Sequence, residues 1–181
     1  MGKKIVSKVL LFAGSNSSKS INKKLVTLAS KRINHESQVI DLNDFEAPIY
    51  SIDREESSGI PQPIEEFLRI FESASAVVIS MAEHNGSYSV AFKNLIDWSS
   101  RSNKDFMKGK AMVLMATSPG KRGGKGVLES ALNSFPRYGA VVTGSFSLPS
   151  FYDNFSDDEG IKDEGLNQEF LSVLAGLEKS I

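Results

Sequence analysis

The feature that most constrains the fold is an alternation of short apolar runs with segments of helical periodicity. Five runs of strand length recur along the chain, at Val9 to Ala13, Val39 to Leu42, Ala76 to Met81, Ala111 to Ala116 and Ala140 to Phe146. Continuously apolar runs of this length fit strands that are buried on both faces of a parallel sheet. Because parallel strands need crossover helices of one hand, the pattern predicts a doubly wound α/β sheet with strand order 2-1-3-4-5.

The segments between these runs have the spacing of amphipathic helices. They cover residues 21–34, 63–73, 89–102, 126–138 and 165–180. In the first of them Leu25 and Ala29 fall on one face, while Lys24 and Lys31 fall on the other. Residues 43–62 contain two prolines, a glycine and several acidic residues, and Pro63 follows directly, which predicts a long surface loop. Acidic residues 153–164 predict a second solvated loop before the last helix. With no repeat or linker visible, we expect a single domain over residues 1–181.

Composition narrows the possible functions. The chain of 181 residues is 40% hydrophobic and 24% charged with a net charge of -1, which is typical of a globular protein and lacks the basic footprint of nucleic-acid binding. Cysteine is absent and only two histidines occur, so disulfides, thiolate catalysis and a metal site are not expected. No apolar window approaches a membrane span, and residues 1–6 lack a secretory h-region. We therefore expect a cytoplasmic protein that acts on small molecules.

The first candidate site is the polar segment Gly14 to Asn22, which follows the first apolar run. It carries hydroxyl and amide groups at Ser15, Ser17, Ser20 and Asn22, at the start of the first predicted helix. A helix N-terminus with such donors favours a phosphate monoester, although one or two of these residues would also serve as ordinary N-caps. The segment matches neither a P-loop nor a G-x-G-x-x-G dinucleotide motif.

Two further loops follow apolar runs and are expected at the same edge of the sheet. Glu83 to Ser87 reads as a polar turn between the third strand and a helix. Ser118 to Gly126 follows the fourth strand, and its glycines allow a ligand to approach the backbone closely; a flexible turn with solvated cations explains it equally well. Ligands of open α/β sheets bind in the crevice beyond the carboxyl ends of the strands, so the three loops predict one crevice.

In this order the three loop motifs resemble the NADPH-dependent FMN reductase family. The resemblance runs from Val9 to about Pro149 and depends most on Glu83-x-Asn85-Gly86-Ser87. It implies a flavodoxin-like three-layer sandwich, with a five-stranded parallel sheet and helices on both faces. It implies FMN as cofactor and NADPH or NADH as reductant. It also implies a small electron acceptor, such as a quinone, flavin, azo compound or metal oxyanion, and a homodimer or homotetramer.

The resemblance also implies which residues hold the cofactor. The phosphate would lie at the first loop and the isoalloxazine ring between the other two, with contacts from Ser15, Ser17, Ser20, Ile21, Asn22, Ala82, Glu83, His84, Asn85, Gly86, Ser118 and Gly120. No catalytic side chain is required, because the chemistry belongs to the flavin. The chain departs from the family pattern at Ser17, where arginine is frequent, and at Ala82 and His84, where proline and tyrosine are common. Lys19 is a candidate replacement for the missing arginine.

Two alternatives remain open at this point. A flavodoxin-type electron carrier shares the fold but favours a strongly acidic surface, and a flavin-binding redox sensor would need no turnover.

Single residues outside these motifs also carry expectations. The helical spacing of Trp98 predicts core packing, and His84 is expected on a turn facing solvent rather than as a proton donor. Arg101, Lys121 and Arg122 could select the 2′-phosphate of NADPH or be ordinary solvated cations.

Overall fold

The centre of the molecule is a parallel sheet of five strands. A computed structural model describes residues 8–181, so the expectation about a secretory signal in residues 1–6 lies outside the described residues. The strands are β1 (Lys8–Gly14), β2 (Glu36–Ile40), β3 (Ala76–Met81), β4 (Ala111–Thr117) and β5 (Val141–Leu148). Their order across the sheet is β2-β1-β3-β4-β5, and every neighbouring pair is parallel. The predicted strand order and α/β class are therefore confirmed.

Helices cover both faces of this sheet. They are α1 (Ile21–Arg32), α2 (Ile52–Ser58), α3 (Gln62–Ser73), α4 (Val90–Ser102), α5 (Lys125–Ser134), α6 (Phe151–Asn154) and α7 (Glu164–Glu178). Alternate residues of each strand point to opposite faces. In β1, Leu10 and Phe12 join the core under α3, α4 and α5, whereas Leu11 joins the core under α1 and α7. Burial on both faces explains why the strands read as uninterrupted apolar runs, and it confirms the three-layer sandwich.

The segment between β2 and α3 contradicts the prediction of a long loop. It contains a 3-10 helix at Leu42–Phe45 and the seven residues of α2. Ser51 caps α2 by accepting a hydrogen bond from the backbone N–H of Arg54, and Gly59 ends the helix with a φ of 72°. Proline and glycine suggested a loop, but Gly59 lies at the end of α2 and Pro61 at the start of α3, where such residues are common. The helix itself is too short for a periodic signal.

Other boundaries also differ from the prediction. β2 begins three residues before the predicted run, and the helix predicted at 126–138 ends as a separate 3-10 turn, Phe135–Tyr138. The predicted acidic loop begins within α6 and contains a small hairpin that pairs Phe155–Ser156 with Gly160–Ile161. In that hairpin Asp157 accepts a hydrogen bond from Lys24 at 2.7 Å. The prediction for Trp98 is confirmed, since its side chain is fully buried.

Candidate functional site

The three predicted loops open at the same edge of the sheet. Strand pairing places Gly14 of β1 opposite Met81 of β3, and Met81 opposite Ala116 of β4. These three strands are adjacent, so their carboxyl ends lie side by side at one level. The predicted crevice therefore has a structural basis in the register of the sheet.

The first loop turns tightly into α1. The Ser15 hydroxyl accepts a hydrogen bond from the backbone N–H of Ser17, and the Ser17 hydroxyl accepts one from the backbone N–H of Lys19, both at 3.3 Å. Ser20 is the N-cap of α1 and accepts from the backbone N–H of Lys23 at 3.2 Å. Capping thus accounts for one of the predicted site residues, while the exposed hydroxyl of Ser17 remains on the surface of the loop.

The start of α1 still has free donors. Ile21 and Asn22 are the first two residues of the helix, so their backbone N–H groups have no intrahelical acceptor. No other hydrogen bond is made by these two groups within residues 8–181. The helix dipole adds positive potential at the same place. Free N–H donors and a positive potential are what an anionic group needs for binding, and one of these donors belongs to Ile21, a predicted site residue.

The side chain of Asn22 has a different task from the one that the sequence suggested. It is buried, and its amide donates to the carbonyl of Thr117 at 3.2 Å. Its oxygen accepts from the backbone N–H of Thr117 at 3.0 Å and from the hydroxyl of Ser80 at 2.8 Å. The side chain therefore fastens the end of β3 to the end of β4 beneath the first loop. Only its backbone N–H is available to a ligand.

The second loop is a β-hairpin rather than a simple polar turn. Glu83–His84 pairs with Ser87–Tyr88, and Asn85 and Gly86 form a two-residue connection with φ angles of 52° and 75°. Two consecutive positive φ angles are the mark of a type I′ turn, for which Asn-Gly is a favoured sequence. That dipeptide was the available signal for a hairpin. His84 is exposed, as predicted.

Glu83 connects the second loop to α5, the helix that follows the third loop. Its carboxylate accepts a hydrogen bond from the backbone N–H of Val127 at 2.9 Å, in the first turn of α5. A Cβ atom added to Gly126 would approach the same carboxylate to 3.0 Å. No side chain of the α5 N-cap, Gly124, can serve this turn. Glu83 therefore takes over the capping of α5 from across the crevice.

We expect Glu83→Gln to lower the free energy of unfolding by about 1 kcal/mol, because a neutral amide loses the attraction of the carboxylate to the helix N-terminus. Urea denaturation followed by circular dichroism measures this change. Glu129→Gln on the exposed face of the same helix is the matched control and should remain within about 0.5 kcal/mol of the natural protein. Equal effects of the two substitutions would contradict a capping role for Glu83.

Ser89 is a functional position that the sequence alone did not assign to the site. Its buried hydroxyl donates to the carbonyl of Gly14 at 2.9 Å and accepts from the backbone N–H of Phe92 at 3.2 Å. It thus caps α4 and fastens the second loop to the end of β1. Serine directly before a helical segment is a preferred N-cap, and this was the available signal.

The third loop is shaped by glycine. Gly123 has a φ of 60°, and a Cβ atom there would lie 2.9 Å from the backbone nitrogen of Pro149. Gly120 differs, because a Cβ atom there would have no neighbour within 4 Å. The hydroxyl of Ser118 donates to the carbonyl of Gly120 at 3.3 Å, and Lys121 and Arg122 are exposed. Gly120 therefore borders open space at the mouth of the crevice.

Beside the loops lies a cavity of about 260 Å³. Its lining includes Asn16 from the first loop, His84 and Ser89 from the second, and apolar residues of the 42–49 segment and of α4.

Within residues 8–181, no group of three or more histidine, aspartate or glutamate side chains could hold a metal ion. Within that same part of the chain, no helix combines the length and apolar character needed to cross a membrane.

Comparison with known proteins decides which family this architecture represents. The profile of the family described as NADPH-dependent FMN reductase matches residues 7–153. The chain belongs to this family. It is an oxidoreductase of the NAD(P)H-dependent FMN reductase type, and the expected general reaction is confirmed.

Individual relatives match most of the chain or about half of it. An uncharacterized protein of Mycoplasma pneumoniae, the MG342 homolog, is 29% identical over 162 residues, which cover 87% of this chain and 96% of that protein. The quinone reductase of Escherichia coli is 31% identical over 96 residues, which cover 53% of this chain and 48% of the enzyme. The match to the quinone reductase thus spans only about half the length of that enzyme.

Solved structures support the fold. FerB from Paracoccus denitrificans, a flavoenzyme NAD(P)H:(acceptor) oxidoreductase, superimposes with a TM-score of 0.76 at 24% identity, covering 97% of this chain and 99% of that one. The apo form of EMOB, an NADH:FMN oxidoreductase, gives a TM-score of 0.72 at 17% identity over 97% of this chain and 90% of that one. The predicted flavodoxin-like architecture of the reductase is confirmed by these similarities.

Proposed function

We propose that the three loops form one FMN site and that the protein passes electrons from NADPH or NADH through FMN to a small acceptor. The observation that carries the proposal is the junction of the loops. Three hydrogen-bonded side chains connect them: Asn22 joins β3 to β4, Ser89 joins the second loop to β1, and Glu83 joins it to α5. A crevice held from three sides offers the fixed geometry that a cofactor site needs.

The first loop fits the phosphate of FMN. The free N–H groups of Ile21 and Asn22 and the positive end of α1 would face the phosphate, together with the hydroxyls of Ser15, Ser17 and Ser20. These groups are neutral, so Lys19, which is exposed beside them, would supply the formal positive charge. The first loop thus offers a phosphate free hydrogen-bond donors and a helix N-terminus, and the loop itself contains no carboxylate that would repel it.

The other two loops would enclose the isoalloxazine ring. The hairpin of Ala82, Glu83, His84, Asn85 and Gly86 forms one side, and Ser118 and Gly120 form the other. Open space at Gly120 fits a planar group approaching the backbone. When bound, FMN supplies the electron-transfer chemistry, and the protein orients it, excludes water and presents hydrogen-bond donors. We propose no catalytic side chain and no metal.

The cavity beside the hairpin favours a neutral aromatic acceptor. Leu42, Phe45 and Leu95 contribute buried apolar surface, and Asn16 contributes a neutral hydrogen-bonding group. Glu46 and His84 also line the cavity. The lining residues that the structure describes include no lysine or arginine. A quinone suits such walls, because its ring gains apolar contact and its carbonyls find donors. A metal oxyanion would have no cation to bind it.

The proposal is tested by anaerobic reduction of the FMN-loaded protein. We expect NADPH to bleach the visible flavin bands and a neutral naphthoquinone to restore them over repeated turnovers. Without a cation at the cavity, chromate should react with a kcat/KM at least about tenfold lower than that of the quinone. Bound flavin that NADPH does not bleach would contradict the reductase and favour an electron carrier or a sensor.

Three further expectations belong to this proposal. We propose that residues 1–181 form one domain, that the enzyme works in the cytoplasm where NAD(P)H is supplied, and that its copies associate as a homodimer or homotetramer. Association is supported by Val90, an apolar side chain that is 67% exposed. A mass of one chain in analytical ultracentrifugation at micromolar concentration would contradict association.

A further inference from the structure

The wall of the acceptor cavity includes a segment whose backbone and α2 are held in place by many polar contacts. This segment, which we call the strap, comprises residues 46–58 and includes α2. None of the seven residues of α2 is buried, and Ile52 is 58% exposed. Apolar burial, the usual source of helix stability in proteins, therefore does not fix α2. In the earlier part of the strap, Ala47 and Tyr50 are partly buried against the core.

One face of α4 holds the first part of the strap. The side-chain oxygen of Asn94 accepts from the backbone N–H of Tyr50 at 2.8 Å. Its amide donates to the carbonyls of Ala47 at 3.0 Å and Pro48 at 3.2 Å. Trp98, one turn further along, donates from Nε1 to the same carbonyl of Pro48 at 2.7 Å. These bonds hold the strap backbone on both sides of Ile49.

An ionic contact holds the second part. Arg101 donates from Nε to the Glu55 carboxylate at 2.8 Å, and the hydroxyl of Tyr50 donates to the same carboxylate at 2.9 Å. The hydrogen bond from Arg101 lowers the pKa of Glu55, so the carboxylate is charged at neutral pH. Arg101 is thus engaged in the strap, which weakens its candidacy as a selector of the NADPH 2′-phosphate. The ring of Tyr50 packs edge-on against Trp98, with centroids 5.0 Å apart.

These contacts determine where one wall of the cavity lies. Ala47, Ile49 and Asn94 line the cavity together with His84 and Val90. Since Ile49 is 65% exposed, the polar bonds to its neighbours, rather than packing, determine its position. We infer that Asn94 and Trp98 are positioning residues that hold Ile49 as the wall limiting the size of the acceptor. The inference rests on the proposed function of the cavity.

The test compares acceptors of two sizes. For Asn94→Leu, which keeps the branched shape of the side chain but removes all three hydrogen bonds, we expect the ratio of kcat/KM for a naphthoquinone to that for benzoquinone to rise at least about tenfold. The affinity for FMN should stay within about twofold of the natural protein, because the FMN loops are untouched. Ile49→Ala should raise the same ratio directly. Asn133→Leu, on the exposed part of α5, is the matched control and should leave it unchanged.

A double-mutant cycle separates a positioning role from a general structural one. If Asn94 acts through Ile49, the double variant Asn94→Leu/Ile49→Ala should show the ratio of Ile49→Ala alone. Independent multiplication of the two effects, or an unchanged ratio in both single variants, would overturn the inference. If Asn94→Leu does not fold, Trp98→Phe removes one bond to the strap and should shift the ratio in the same direction; an unchanged ratio there would also overturn it. A natural protein whose flavin is not bleached by NADPH would overturn the proposed function, and the inference with it.

Discussion

Asn22→Ala is expected to lower the free energy of unfolding by about 3 kcal/mol, because it leaves two buried donors without an acceptor. The backbone N–H of Thr117 and the hydroxyl of Ser80 both lose the Asn22 oxygen, and the carbonyl of Thr117 loses its donor. Urea denaturation measures the loss. It should be accompanied by weaker FMN binding, since the substitution disconnects the strand ends that carry the second and third loops.

The matched control is Asn133→Ala, an exposed position on α5, which should change the free energy of unfolding by no more than about 0.5 kcal/mol. The variant Asn22→Asp provides a second test of the same hydrogen bonds. The new carboxylate keeps the acceptor but faces the Thr117 carbonyl in a buried setting, so its pKa rises on folding. The destabilisation should therefore be small at low pH and should grow as pH rises through that pKa. Loss below about 1 kcal/mol for Asn22→Ala would contradict the bridging role.

Gly123→Ala is expected to lower the free energy of unfolding by about 2–4 kcal/mol. An alanine must adopt the φ of 60° and would place its Cβ atom against the Ser147 hydroxyl oxygen and 2.9 Å from the backbone nitrogen of Pro149. The hydroxyl can rotate away, but the Pro149 backbone cannot move without shifting the end of β5. Thermal denaturation should show this loss as a clear fall in Tm.

Gly120→Ala is the control for that experiment and also tests the proposed cofactor site. Its backbone is outside the left-handed region and an added Cβ atom meets nothing, so stability should change by less than about 1 kcal/mol. FMN affinity should nevertheless fall, because the new methyl group occupies space that we assign to the cofactor. Unchanged affinity would show that the ring lies elsewhere, and equal destabilisation by the two substitutions would contradict a shaping role for Gly123 in the third loop.

The sheet could be predicted from the sequence because its strands are buried on both faces. Val9 to Ala13 and Ala111 to Ala116 read as continuous apolar runs between turn residues, and this pattern favours a fully buried parallel strand. The loops that follow β1, β3 and β4 could likewise be located, because parallel strands bring their carboxyl ends to one edge. Local sequence was sufficient to predict those features that depend on the burial of a strand or on the direction of the chain.

The contacts that hold the site together could not be predicted in this way. Asn22 bonds to a residue 95 positions away, Ser89 to one 75 positions away and Glu83 to one 44 positions away. No local pattern distinguishes a serine or asparagine that faces a ligand from one that joins two strand ends. The strap was missed for the same reason, since its partner Asn94 lies on a helix that comes much later in the chain.

The central claim, that the first loop holds the phosphate of a flavin whose ring lies between the other two, is tested most directly by comparing FMN with riboflavin. The two ligands share the ring and the ribityl chain and differ only in the phosphate. Titration followed by quenching of flavin fluorescence should show one site per chain and at least about 100-fold tighter binding of FMN, since each hydrogen bond to a charged phosphate contributes about 1.5–3 kcal/mol. Equal affinities for FMN and riboflavin would contradict the phosphate site at Ser15 to Asn22.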